Sequence, residues 1–458
     1  MTVTRSIARF VHELDLARVP PEIVEKVRVC LLNGYGMGLG CHDTPYAPVA
    51  RAAALAMDGE QPQGATLLGD GRRTSVAGAA LANSALFHGR AQEDTCGAAH
   101  LGTILIPLLT ALVETRRGPV ERLMPALLAG YEAGGALENA YAGKTTPAGF
   151  RSSTLYGTIA AAAGTAKLLG LDEAGIDAAI ANATSFTGGV LQSFADGTDE
   201  WRYQVGLVAR VGMVATELAR AGSVSAPHAI EGKSGLARTF ARVDCDAAAL
   251  AAGLGRDWAV RRVTFKPFPV CAFNQTPVTA ALALRDDLGG ADVEAVTVRM
   301  NPYEVGYAGM DATGPFSTIS GTLMSIPFCI AVTLVHGTPT MARMTRYDDA
   351  RVNALVGHVQ LIADPSIPQL CCRIDARTRD GRTVTRDQRM TFADYSYDRA
   401  TVSSLVRRVG AESGVPTSAY DRLERFVERL PHADIAEVPA AFAELPGQHG
   451  ARAAARAG

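Results

Sequence analysis

Gly157-Thr-Ile-Ala-Ala-Ala-Ala-Gly164 lies inside a helix-forming run from Leu155 to Leu169. Side chains this small let helix backbones approach closely, so the run belongs in the middle of a large helical bundle. Working outward, Pro21 to Leu39, Ile104 to Glu114 and Tyr203 to Ala221 also read as helices, and strand signals are scarce from residue 5 to about 265. Gly170 and Gly222 follow helical runs, where a left-handed capping residue is expected.

After Phe265 the texture changes. Val296, Val298 and Met300 alternate with Thr297 and Arg299 as a half-buried strand does, and Leu370 to Arg377 with Arg382 to Arg386 reads as a hairpin about the Asp380-Gly381 turn. Gly321 to Val335 between them reads as one helix. The expected fold is mainly α with a smaller α/β domain. Residues 1–265 and about 401–458 form a large all-helical domain, with C-terminal helices near Val402 to Val409 and Ser418 to Leu430, and about 266–400 form the α/β domain. A chain of 458 residues exceeds the size at which a single core stops growing, which agrees with two domains. The last dozen residues, rich in Ala and Arg, are expected to fray.

Composition removes several function classes. Hydrophobic residues make up 48% and charged residues 20%, the range of a folded globular chain. The net charge of −2 is spread without a long run of one sign, so nucleic acid is not an expected partner and an anionic membrane is not either. No run of about 18 apolar residues and no apolar signal core occurs, which places the protein in the cytoplasm. Eight cysteines show no CxxC pair and no histidine at ligand spacing, which argues against zinc and against a disulfide scaffold. They read as buried small hydrophobes, with Cys371 and Cys372 on opposite faces of a strand. The glycines of Gly34-Tyr-Gly-Met-Gly-Leu-Gly40 alternate and never satisfy GxGxxG, so they read as helix packing. Walker A, HExxH, GxSxG and EF-hand patterns are absent, and chemistry must come from ordinary side chains.

Those side chains are concentrated in Gly89-Arg-Ala-Gln-Glu-Asp-Thr-Cys-Gly-Ala-Ala-His100, just before the helix that begins near Ile104. Backbone N–H groups at such a helix start favour anions. Gly149-Phe-Arg-Ser-Ser-Thr154, carrying Arg151 and Ser152, and Thr198-Asp-Glu-Trp-Arg-Tyr-Gln204, carrying Trp201, Arg202 and Tyr203, also precede long helices. Three polar segments at three helix starts point to one shared pocket. His100, with an unperturbed pKa near 6.5, is the natural proton carrier. Asp94 could orient it or act as base itself. Lys266, one of five lysines, interrupts an apolar approach where it can pair with a carboxylate or deliver a proton.

These segments, together with Gly149-Phe150 leading into Gly157 and Lys167-Leu-Leu-Gly-Leu171, Lys266-Pro-Phe-Pro-Val-Cys271, and Ser325-Ile-Pro-Phe328, resemble the MmgE/PrpD family over nearly the whole chain. The resemblance implies a helical domain with an α/β domain closing over it, usually as a homodimer, acting on a small molecule with no metal and no organic cofactor. The family's activities include 2-methylcitrate dehydratase, cis-aconitate decarboxylase and iminodisuccinate epimerase. Asp94, Thr95, His100 and Lys266 fall at the family's polar site positions. Four others depart: Arg151 replaces a histidine, Trp201-Arg-Tyr-Gln204 replaces a Lys-x-Leu-His stretch, Gln275 replaces a histidine and Phe328 stands where the decarboxylase has tyrosine. Arg151 exchanges a proton carrier for a permanent cation able to clamp a carboxylate, and Trp201, Tyr203 and Phe328 add aromatic wall. The expected function is proton abstraction with elimination, dehydration or decarboxylation, on a small organic acid or carbonyl compound. The alternatives are an isomerase, epimerase or cyclase of specialised metabolism acting on a larger, partly apolar substrate, and a catalytically silent binding member of the fold.

Overall fold

The computed structural model describes residues 1–446, and the expected fraying of the last dozen residues lies outside them. The helices that frame the site are α1 (Pro21–Gly40), α2 (Val76–Phe87), α3 (Gly102–Glu114), α4 (Leu123–Thr145), α5 (Ser152–Leu169) and α6 (Glu200–Arg220). Pro21 opens α1 at a position whose N–H has no helical acceptor, and left-handed Gly170 (φ 74°) closes α5. Nearly all of α5 is buried. A Cβ on Gly157 would stand 2.3 Å from Ile104 Cδ1 of α3, which is why the small-residue run lies at the centre. The alternating glycines of α1 are packing devices as well. A Cβ on Gly34 would strike Ile106 of α3, and one on Gly38 would strike Phe87 of α2.

Two short strands, β1 (Thr95–Cys96) and β2 (Val263–Thr264), pair antiparallel with Thr95 opposite Thr264. Beyond them the α/β domain holds a four-stranded sheet of β3 (Val293–Met300), β4 (Val359–Ala363), β5 (Cys371–Thr378) and β6 (Thr383–Arg389), in the order β4-β3-β5-β6. β3 runs parallel to β4 and antiparallel to β5, and β5 and β6 form the expected hairpin. Val296, Val298 and Met300 all point into the core, as the alternation requires. α7 (Gln275–Leu288) packs on the β5–β6 side of the sheet.

The expected helix over Gly321 to Val335 is two helices, α8 (Ile319–Met324) and α9 (Ile326–His336). Pro327 has no N–H for a continuous helix and its ring would meet a carbonyl of the preceding turn. Ser325 therefore adopts an extended conformation, and its hydroxyl accepts the Phe328 N–H at 3.0 Å to cap α9. The chain then returns to the helical domain as α10 (Arg399–Ala411), which packs on α1. All eight cysteines are free. Six are buried, while Cys245 and Cys271 are partly accessible.

Two hydrophobic cores result. One joins the N-terminal helices to the C-terminal ones, and the other gathers the sheet, α7 and α9. The second also takes in Tyr46, Ala91, Leu191, Phe194 and Trp201 from the helical part, so the two parts share apolar surface. The polar segments named above lie along that seam.

Candidate active site

The register of β1 and β2 builds the centre of the site. Carried two residues beyond the Thr95–Thr264 pair, it brings Glu93 opposite Lys266, and Lys266 Nζ donates to Glu93 Oε1 at 3.0 Å. Nδ1 of His100 lies 2.7 Å from the same oxygen and Nδ1 of His88 lies 3.0 Å from it, both at angles too oblique for a full ring hydrogen bond. Glu93 Oε2 has no partner. Burial alone would raise the Glu93 carboxyl, but His88, Lys266 and His100 around it hold it well below the usual carboxylate range. Glu93 is ionised and shared by three nitrogen groups.

Arg151 settles the state of His88. Its Nη2 lies 2.8 Å from His88 Nε2, and because arginine can only donate, Nε2 accepts and the proton of the neutral ring sits on Nδ1, facing Glu93. Burial drives the same way, lowering the His88 pKa well below 6.5. The other end of Arg151 donates to the Trp201 carbonyl and, at 2.8 Å, to Gln204 Oε1. Its guanidinium is thus spent inside the protein and lines neither cavity described below, in place of the carboxylate clamp expected of it. It joins the second and third polar segments to His88, which directly precedes the first. Ser153 adds a further link by accepting the His100 backbone N–H at 3.0 Å.

His100 keeps 15% of its side chain accessible. Its pKa is lowered to about 4, first by burial and then by Lys266, with Glu93 opposing. At neutral pH the ring is therefore uncharged. With Nδ1 turned to Glu93, Nε2 is the nitrogen left to accept a proton.

Two adjoining cavities meet here. An inner one of about 30 Å³, room for a water-sized group, is lined by His100 and Lys266 with Phe194, Trp201, Tyr307 and Met324 as its apolar walls. Cys271 also lines it, but burial raises that thiol to about 11, so it is not a thiolate nucleophile. An outer cavity of about 280 Å³ shares Thr95, Ala98, Lys266 and Phe273 with the inner one. Thr95 and Thr264 hydroxyls lie 2.9 Å apart between them.

Apart from Gln275, the other residues singled out from the sequence lie outside the cavities. Asp94 sits behind the strand pair, where Oδ2 accepts the Tyr131 hydroxyl at 2.5 Å and burial raises its carboxyl to about 6. Ser152 bonds Thr146 at 3.1 Å. Arg202 is sandwiched between the Tyr46 and Trp201 rings, 3.7 and 3.9 Å from their centroids, and Tyr203 packs against the small apolar cluster that includes Leu81 and Ala82. Phe328 is buried edge-on against Phe316. Gln275 reaches the outer cavity, yet its amide is committed to the Phe268 and Val270 backbone and staples that loop. Glu93 lies within the polar segment read from the sequence, whereas His88 and Tyr131 belong to the cluster and carry no motif of their own.

His88, Glu93 and His100 place ligand-type atoms within 4.8 Å of one another, a group that sequence spacing did not suggest. The Lys266 ammonium on Glu93 and the Arg151 guanidinium on His88 surround that group with positive charge. Such a set is better suited to sharing a proton than to holding a divalent cation. No helix among the described residues is long and apolar enough to cross a membrane.

Comparison with known proteins identifies the family of both parts of the chain. The MmgE/PrpD N-terminal domain matches residues 5–246 and the MmgE/PrpD C-terminal domain matches residues 268–401. A cis-aconitate decarboxylase-like protein of Aspergillus oryzae is 31% identical over 234 residues, which is 48% of this chain and 48% of that relative, so the match spans about half its length. Cis-aconitate decarboxylase of Aspergillus terreus is 24% identical over 369 residues, 76% of this chain and 74% of the relative. The enzyme of that name from Mus musculus is 25% identical over 410 residues, 84% and 81% of the two chains.

Proposed function

The chain belongs to the MmgE/PrpD family, and from that premise we propose that it is a cofactor-independent lyase acting on an organic acid or carbonyl compound. The observation that carries the reading is the neutral His100 held beside an ionised, buried Glu93 that also holds Lys266. In the proposed reaction His100 Nε2 takes a proton from carbon next to a carboxylate or carbonyl. The C–H electron pair moves onto the carbonyl oxygen as an enolate, and the new imidazolium is stabilised by the Glu93 carboxylate. Lys266 faces the developing oxyanion, and collapse of the enolate expels hydroxide. Where carbon dioxide leaves instead, no proton is taken first: the C–C electron pair moves onto the carbonyl oxygen as carbon dioxide departs, and the Lys266 ammonium delivers a proton to the resulting carbanion and is reprotonated from solvent. Asp94, with Tyr131 behind the strand pair, positions this segment.

The inner walls support a substrate with an apolar part. Lys266 is the one Lys or Arg lining the inner pocket, since Arg151 is consumed by His88, Trp201 and Gln204. A tricarboxylate needs more cations than that. This favours a mono- or dicarboxylate, or a carbonyl compound, whose apolar flank extends into the outer cavity of about 280 Å³, and keeps isomerisation or ring closure through the same enolate as the second reading.

The test is NMR in D2O with cis-aconitate, with 2-methylcitrate and with a deproteinised extract of the source cells. We expect a compound of the extract to lose an acidic C–H and then water or carbon dioxide, and His100→Asn to stop it. Exchange without loss would select the isomerase reading. An extract unchanged by wild type relative to His100→Asn would leave a binding protein and sink both.

A further inference from the structure

The outer cavity has a chemistry that the proton-transfer site does not explain. Two buried carboxyls line it, Glu138 and Glu304. Glu304 is 1% exposed, its Oε1 accepts one N–H, from Leu370 at 2.9 Å, and its Oε2 has no partner. An acceptor oxygen left this way costs the full desolvation of the group unless something arrives to donate to it. Glu138 accepts the Ala98 N–H at 2.8 Å, and its carboxylate presses so closely on Gly97 (φ 59°) that a Cβ there would stand 2.3 Å from Oε1. It too is held at the wall by a single backbone donor.

Two cations line the same cavity, and each is also engaged by another group, with Arg262 within electrostatic reach of Glu138. Lys266 donates to Glu93, and Arg262 donates to the Gly135 carbonyl at 2.7 Å. Burial raises both Glu138 and Glu304 to about 7, so an arriving cation would find them ready to ionise. Tyr303 lies within electrostatic reach of both acids, and its ring meets that of Phe273 edge-on with centroids 5.8 Å apart. Ring faces beside carboxyls suit an ammonium group, whereas a carboxylate arm would meet like charge.

We propose that the outer cavity recognises a protonated amine on an apolar arm, held by the Glu304 and Glu138 carboxylates and flanked by Phe273 and Tyr303. The inference rests on the inner pocket being where reaction occurs, because the amine is then the non-reacting end of the substrate, entering past Thr95 and Lys266.

Calorimetric titration of the full chain at pH 7.5 with phenethylamine, 2-phenylethanol and 3-phenylpropionate tests it. Phenethylamine is expected to bind about tenfold more tightly than the alcohol, the worth of one charge-assisted hydrogen bond. Glu304→Gln should remove that preference, Glu138→Gln should reduce it, and His100→Asn should leave it intact. Phe273→Leu, which touches no carboxyl, should weaken the amine more than the alcohol and serves if a glutamine variant fails to fold. Equal binding of amine and alcohol, tightest binding of the propionate, or a preference that survives Glu304→Gln would overturn the proposal. Because His100→Asn abolishes proton transfer without touching the outer cavity, failure of the amine site and failure of the lyase reading are read separately.

Discussion

Glu93 Oε1 has Lys266, His100 and His88 around it in a buried setting, so each neighbour has a distinct consequence when removed. Lys266→Met leaves an ionised carboxylate without its cation, and unfolding in urea should show a loss of about 3–5 kcal/mol. His100→Asn keeps a hydrogen-bonding group near the position of Nδ1 and removes the proton carrier. It should spare the unfolding midpoint while lowering turnover by about 10²–10⁴-fold. Because the His100 pKa is lowered to about 4, kcat at saturating substrate should show the His100 acid limb near 4 and not near 6.5. A limb near 6.5 that disappears in His100→Asn would mean that burial does not lower the His100 pKa. His100 and Lys266 were legible from residue type and position. His88 was not, because a lone histidine at the end of an alanine-rich helix has no pattern, and Arg151 looked like a clamp because its two internal acceptors are remote in sequence.

At the scale of elements, the helices were legible to within about a turn, since helical spacing is a property of a contiguous segment. The glycines of α1 show what the spacing is for. A Cβ on Gly36 would lie 2.6 Å from Val406 Cβ of α10, a side chain fixed by burial on a neighbouring helix. Gly36→Ala should therefore destabilise by about 1–3 kcal/mol, against the small gain alanine brings to an exposed helix. Thermal unfolding of the variant checks it, and an unchanged or raised midpoint would contradict this packing. The break between α8 and α9 escaped the pattern because both halves are apolar enough to read as one helix, and only the cap at Ser325 separates them.

Across the whole molecule, one polar joint ties the helical domain to the α/β domain. Arg202 and Trp201 of α6 both donate to Ser320 Oγ of α8, at 2.5 and 3.3 Å, and that hydroxyl donates to Asp199 at 3.0 Å. Ser320→Ala should raise amide exchange over Ile319–Met324 by loosening this joint, at a cost of about 1–3 kcal/mol in local opening. No change in exchange there would show that the Ser320 hydroxyl does not hold the joint. Glu304 adds a pH dependence. Its folded pKa of about 7 lies above the unfolded value of 4.5, so its contribution is full below pH 4.5 and is lost as pH rises through 7. Relative to Glu304→Gln, wild type should lose on the order of 3 kcal/mol across that window, and parallel stability curves for the two proteins would exclude the shift.

What the sequence determined by itself was the local order: helices and strands in their succession, a large helical and a smaller α/β part, and a polar corner ending at His100. Each follows from periodicity or residue type within a short window. What tertiary structure alone decided was the company that corner keeps. Glu93 meets Lys266 because two short strands, far apart in the chain, pair in one register, and Arg151 turns inward because His88 and Trp201 are folded against it. Interaction energies between buried groups depend on distances of a few ångströms across the fold, and no local pattern encodes those.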